Sequence, residues 1–311
     1  MEARTSTAVD WLLDSEEPAV RMLTRRDVLG EPADGEDVLQ GGWTRALLSG
    51  QESDGGFGVH WYRKWTGAHW RLVQLIELGV PAGEPRALAA ADTVLGPLTS
   101  PKRRVSVIDG LPRACASVEG NALAVACRLG LAEDPRVQQL VGWLLEWQWP
   151  DGGWNCDRQA TGRRSSFHET LATSWGLHEY AAATGDAAAA AAARRAAELF
   201  LEHRLFRNVR AGEVIDRRWL RPCYPSYWHY DVLEALLVLS RMGLATDPRA
   251  AEALAELERR RDPDGRWHAG QQWWKPGGGP TTPEVVDWGR TGEPSRMITL
   301  NALRILRAAG R

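Results

Sequence analysis

Residues 144–154 read LLEWQWPDGGW, and two other stretches repeat the pattern: 47–57 (LLSGQESDGGF) and 257–267 (LERRRDPDGRW). Each copy runs Leu, three residues, Gln or Arg, three residues, Gly, one residue, aromatic. A second pattern precedes them. Residues 130–136 (GLAEDPR) and 243–249 (GLATDPR) are near-identical, and 79–86 (GVPAGEPR) is a looser copy. The same interval separates Asp37 from Asp54, Asp134 from Asp151 and Asp247 from Asp264. Asp-Pro places an N-cap before a proline at the first helical position, where the missing N–H costs nothing, and the Gly just upstream ends the previous helix. Each repeat is therefore a helix, a tight turn and a helix.

Applied along the chain, these signals predict about twelve helices, beginning near Ser6, Pro18, Asp37, Trp65, Pro85, Ser117, Pro135, Ser166, Ala187, Ser226, Pro248 and Ser295. No β-strand run stands out. A repeat of roughly 50 residues implies stacking, because one helical hairpin cannot bury both of its faces alone. The expectation is an all-α fold, an α/α toroid of about six hairpins in two concentric layers, occupying residues 1–311 as a single domain. The repeats cover about 36–310, and 1–35 supply N-terminal helices. Periodicity leaves an open superhelix as the alternative, since it does not say whether the last repeat touches the first.

The composition suits a folded core: 311 residues, 44% hydrophobic and 25% charged. A formal net charge of −2 gives no reason to expect nucleic acid. No apolar run is long enough for membrane insertion, and Met1–Asp10 lacks the apolar segment of a signal peptide, so the expected location is cytoplasmic. Four cysteines, Cys115, Cys127, Cys156 and Cys223, are too few for a disulfide framework and are expected to be reduced. The unusual figure is 16 Trp against 4 Phe and 5 Tyr. Most of these Trp fall in Gly-rich loops rather than on helix stripes, so core packing alone accounts for them poorly.

Trp143-Leu144, Gln148, Gly152 and Trp154 resemble the QW motif of squalene-hopene cyclases and related triterpene cyclases, in which Gln and Trp tie the end of an outer helix to the next hairpin; the copies at Phe57 and Arg261 are degenerate. The resemblance is to the terpenoid-cyclase and prenyltransferase toroids and covers about 36–310. It implies the fold more than the reaction. The DxDD motif with which class II terpene cyclases protonate an alkene has no counterpart here. The chain is about half the length of a two-barrel triterpene cyclase, so one toroid is expected.

In such a ring the repeat loops feed the inner helices, whose first turns converge at one mouth. Those turns are polar: Trp65–His69, Cys115–Glu119, Ser166–Thr170, Ser226–Asp231 and Ser295-Arg296. Histidine titrates near neutrality, and a low-dielectric cavity lifts a carboxylate towards it. Candidate acid/base groups are accordingly His168 with Glu169, His229 with Asp231, and Glu119. The plainer reading makes Ser166 and Ser226 N-caps and Glu169 part of a capping box. Trp61, Trp65, His69, Trp228, Tyr230 and Arg296 are candidate substrate contacts, with Trp70, Trp273 and Trp274 beside them. Aromatic faces there would stabilise a carbocation or stack on a sugar. Arg63-Lys64, 102–104 (KRR), Arg163-Arg164 and Arg217-Arg218 with Arg221 would favour an anionic head, unless the acids of the same loops neutralise them.

Cys156, Asp157 and His168 offer a thiol, a carboxylate and an imidazole. They resemble the Asp, Cys and His zinc site of protein prenyltransferase β subunits, though in a different order, which makes zinc a possible cofactor. The leading functional expectation is an enzyme that cyclises or transfers a hydrophobic, isoprenoid or polycyclic small molecule. A zinc-dependent prenyl-type transferase, a carbohydrate-active α/α toroid and a non-catalytic ligand-binding ring are the alternatives.

Overall fold

The computed structural model describes residues 2–33, 36–101, 105–273 and 285–311. Lys102, Arg103, Arg104 and Trp274, singled out above, lie outside them. The described chain forms helices α1 (Glu2–Leu13), α2 (Pro18–Leu23, continued by a π-helical turn, Thr24–Leu29), α3 (Gly42–Leu48), α4 (Ala68–Glu77), α5 (Pro85–Leu98), α6 (Ala116–Arg128), α7 (Pro135–Glu146), α8 (Phe167–Thr184), α9 (Ala187–Glu202), α10 (Val232–Arg241), α11 (Ala251–Arg259) and α12 (Arg296–Ala308). None of them is long and apolar enough to cross a membrane.

Among the described residues the fold is all-α apart from one short hairpin and two isolated bridges. Strands β1 (Ser106–Ile108) and β2 (Leu111–Arg113) pair antiparallel around Asp109-Gly110, both at positive φ, the two-residue turn that suits a hairpin's twist.

The even-numbered helices form an inner layer and the odd-numbered ones an outer layer. Inner neighbours pack in sequence: α4 on α6, α6 on α8, α8 on α10 and α10 on α12. The ring then closes, because α12 packs on α1, on α2 and on its π-helical continuation, while Gly79 after α4 abuts Met22 and Leu23 of α2. Closure is the property that periodicity left open.

The repeated loops behave alike. Asp134 and Asp247 cap their helices by accepting the amides of Arg136 and Arg249. The fully buried indoles of Trp154 and Trp267 donate to the carbonyls of Leu144 and Leu257, at 3.0 and 2.8 Å. The backbone amides of the same two Trp donate to Thr170 Oγ1 and Thr299 Oγ1 at the starts of α8 and α12. Gln148 donates from Nε2 to Gly152 O (2.7 Å) and Ala192 O (2.9 Å), and Gln51 does the same to Gly55 O and Arg86 O. The central loop thus stitches α7 to α8 and α9, while the first ties α3 to α5 and the third ties α11 to α12. Gly152 is required twice over: its φ is +93°, and a Cβ there would lie 2.5 Å from Arg195 O.

Candidate active site

A chamber inside the ring, partly open to solvent, leaves about 30 Å³ for the centres of water-sized molecules as the side chains stand. Gln74 and Glu77 of α4, Asn121 of α6, His168 and Trp175 of α8, Glu234 of α10 and the Tyr224–His229 loop line it. The loop covers the chamber because aromatic stacking fixes it. Tyr227 lies on Trp65 (ring centroids 4.1 Å apart, planes 12°), and His229 is held between Trp228 (3.9 Å) and Trp273 (3.8 Å).

His168 and His229 do share this chamber, with ring centroids 6.3 Å apart. His168 Nδ1 accepts the amide of Tyr230 at 2.8 Å, so a neutral ring carries its proton on Nε2. His229 Nδ1 faces the carbonyl of Ser226 at 3.3 Å, which places the proton there and leaves the Nε2 lone pair free. Burial lowers both pKa values. That of His229 falls to about 3, with His168 adding to the effect; for His168 the second cause is Arg218. Both rings are neutral at physiological pH.

Glu234 stands in the first turn of the apolar helix α10 and faces the chamber. Burial first, and the neighbouring Glu77 second, push its pKa up to about 8, so it is a protonated acid at neutral pH. Burial would raise Glu77 too, but Arg241, 2.8 Å away, and Arg128 hold it ionised. Glu234 is not among the candidates that the helix-start pattern picks out. The available signal was a lone carboxylate in the stripe Val232–Leu239. Four buried polar atoms in the chamber wall, Gln74 Oε1, Asn121 Nδ2, Tyr224 Oη and Trp228 Nε1, have no hydrogen-bond partner among the described residues.

Other expected site residues are placed differently. Asp231 caps α10, accepting the amides of Glu234 (2.8 Å) and Cys223 (3.0 Å), and does not line the chamber. Burial nonetheless raises its pKa to about 7, against those hydrogen bonds. Glu169 Oε2 accepts the amide of Ser117 at 2.9 Å, turning away from His168 to tie α8 to the start of α6. Glu119 is fully buried on α6 beside Tyr62. Tyr230 packs on Phe167, Phe200 and Trp219 and donates its hydroxyl to Leu205 O, so it belongs to the core. His69 faces an apolar space between α4, α5 and α6, where burial lowers its pKa to about 3. Trp61 packs on Tyr62 and His69. Arg296 lies over Trp11, 4.5 Å from its centroid, and helps close the ring.

Two of the expected cations are paired with acids, one across to the β-hairpin and one within its own loop. Arg163 pairs with Asp109 and Arg218 with Asp216, at 2.8 and 2.6 Å. Lys64 lies over Trp228 and Trp65, 5.1 and 5.6 Å from their centroids.

The metal set proposed from sequence does not assemble. Asp157 turns its carboxylate to the amide of Gln159, and His168 is engaged by Tyr230. Cys156 instead meets Cys115 and Glu169, whose ligand atoms with its own all lie within 4.8 Å of one another. The Cys156 thiol donates to Glu169 Oε1 at 3.3 Å, and its hydrogen bond with Cys115, burial and the Glu169 charge push its pKa upward.

No protein-family model matches the sequence, and no curated protein matches it. Among solved structures the chain is similar to the type II terpene cyclase MstE from Scytonema. Against a substituted form in complex with its product, merosterolic acid A, the TM-score is 0.45 at 17% identity, over 99% of this chain and 86% of that one. Against the apo enzyme it is 0.44 at 16% identity, over 99% and 88%.

Proposed function

We propose that the chain is an enzyme that holds an apolar isoprenoid or polycyclic small molecule, bearing at least one oxygen function, in the ring chamber and rearranges it by proton transfer. One observation supports this reading: a single aromatic-walled chamber combines a protonated Glu234 with four buried polar atoms that have no partner among the described residues. Buried polar atoms are nearly always hydrogen-bonded, so a bound molecule with donor and acceptor groups is the natural partner for Gln74, Asn121, Tyr224 and Trp228. The walls of Trp175, Tyr227 and Trp228 suit the apolar remainder and would stabilise a developing cation by about 0.5–2 kcal/mol per ring.

In this scheme the Glu234 carboxyl gives its proton to a double bond of the substrate, leaving a carbocation. Ring closure consumes one carbon–carbon π bond and forms a σ bond. A proton is then lost to the free Nε2 of His229, and solvent returns the proton to Glu234. The net change is an isomerisation that needs no co-reactant. His168, anchored to the Tyr230 amide, positions the loop that carries His229.

The test is product analysis by mass spectrometry after incubation with prenyl alcohols, prenyl diphosphates and polyprenoid epoxides. Turnover by the native enzyme should fall at least ~100-fold in Glu234→Gln, the range lost with a general acid. Undiminished turnover in that variant, or neither product nor thermal stabilisation with any of these compounds, would reject the reading.

A further inference from the structure

Three groups outside the chamber mechanism converge from separate elements. Cys115 is the residue before α6, Cys156 lies in the loop after α7, and Glu169 is in the first turn of α8. Cys115 is exposed, Cys156 is half-buried and Glu169 is buried, so the cluster is reachable from solvent on the Cys115 side.

The spacing is that of a coordination shell. Around zinc, bond lengths of about 2.3 Å to sulfur and 2.1 Å to oxygen at tetrahedral angles give edges of about 3.8 Å between sulfurs and 3.6 Å between sulfur and oxygen. Here Cys156 Sγ is 3.3 Å from Glu169 Oε1, and no pair among the three ligand atoms is more than 4.8 Å apart. Shifts of a few tenths of an ångström to about 1 Å would seat the ion. The outer support is present as well. Glu169 Oε2 accepts the Ser117 amide at 2.9 Å, which fixes the carboxylate's orientation with Oε1 towards the thiols.

We infer that Cys115, Cys156 and Glu169 bind a thiophilic divalent cation, zinc, through two thiolates and one carboxylate oxygen. Binding releases the two thiol protons to solvent. Three protein ligands leave one position for water or an incoming group, the ligand count of a reactive rather than a purely structural zinc. Tyr62 lies close enough to all three groups to feel their charges.

The test uses the whole reduced protein, stripped with chelator and titrated with cobalt(II), then zinc. Expected is a single equivalent of cobalt, with a near-ultraviolet sulfur-to-cobalt charge-transfer band and the strong visible bands of a tetrahedral site, all displaced by zinc. Cys115→Ser and Cys156→Ser should each abolish the charge transfer or weaken binding more than ~10-fold, and Glu169→Gln should retain the band at lower affinity. Cys127→Ser and Cys223→Ser should change nothing. A second readout does not depend on how the variants fold: in the native sequence, zinc should protect Cys115 and Cys156, and not Cys127, from alkylation mapped by peptide mass spectrometry. No charge-transfer band in the native protein, a band that survives loss of both Cys115 and Cys156, or equal alkylation with and without zinc would overturn the assignment. None of these readouts needs a substrate, so they stand apart from the chamber chemistry.

Discussion

Arg304, near the end of α12, donates to the carboxylate of Asp27, 277 residues earlier in the chain. The pair joins the last inner helix to the first. Burial alone would raise the Asp27 pKa, but Arg26 and Arg304 hold it below the usual carboxylate range. Removing Asp27 leaves the guanidinium of Arg304, whose side chain is 11% exposed, without the carboxylate that pairs with it, Glu77 remaining as a lesser counter-charge. Asp27→Ala should therefore cost about 3 kcal/mol, the lower end of the range for a buried pair because Asp27 is itself 24% exposed. Thermal melts followed by circular dichroism would register this as a drop of several degrees. Because the folded pKa is depressed, the contribution is present above the unfolded value near 3.8 and is lost as pH falls below it. An unchanged melt in Asp27→Ala would mean that apolar contacts alone close the ring.

Gly120 and Gly176 set the closest crossing of the inner layer. A Cβ on Gly120 would lie 2.5 Å from Thr173 Cα, and one on Gly176 would lie 2.3 Å from Gly120 O. Alanine in a helix is ordinarily worth about 1 kcal/mol more than glycine. At these two positions the sign reverses: α6 and α8 must separate, and a loss of about 1–3 kcal/mol is expected for either substitution. Gly142 of α7 is the control, since nothing lies within 4 Å of its added Cβ. Denaturant titration should find Gly142→Ala stabilised and Gly120→Ala destabilised. Equal effects at both sites would contradict the close crossing.

The charge state of Glu234 predicts a pH dependence of both stability and turnover. Its carboxyl faces Glu77 and Arg241, with Asp231 and Ser226 beside it. The folded pKa of about 8 lies above the carboxyl's ordinary value of 4.5, so the folded state binds the extra proton between these values and stability falls as pH rises through that window. Asp231, raised to about 7, adds to the same slope. Buried His229 acts oppositely, losing stability as pH falls below about 6.5 towards 3. Glu234→Gln should flatten the alkaline side of the stability profile, and native turnover should decline above about pH 8. An identical alkaline slope in the variant would show that Glu234 ionises freely.

Much of the frame was legible because its signals are local. The Asp-Pro caps at Asp134 and Asp247 and the Gly and Trp of the repeat loops each act within a few residues, and helix starts such as Pro18, Pro85, Pro135 and Ala187 follow from them. The misses arose where tertiary contacts decide. Ser226 has the chemistry of an N-cap, yet stacking of Tyr227, Trp228 and His229 holds 224–230 as a loop, and Asp231 caps the helix instead. The Asp109-Gly110 hairpin carried a readable turn signal between strands too short to stand out. Pairing His168 with Glu169, its neighbour in sequence, overlooked that adjacent helical residues point in different directions. Glu234 had a local signal, a lone carboxylate in an apolar stripe, but its partners and the Cys115, Cys156 and Glu169 cluster lay beyond sequence reasoning, because their environment is assembled from separate helices and loops.

The account rests on the chamber beneath the Tyr224–His229 loop being where an apolar molecule binds. A photoreactive isoprenoid alcohol, crosslinked to the protein and located by peptide mass spectrometry, tests this directly. Labelling should concentrate on the peptides that carry Trp175 and Tyr224–His229, and an excess of unlabelled isoprenoid should suppress it. Labelling spread over outer helices such as α7 and α9, or unaffected by competitor, would contradict the account.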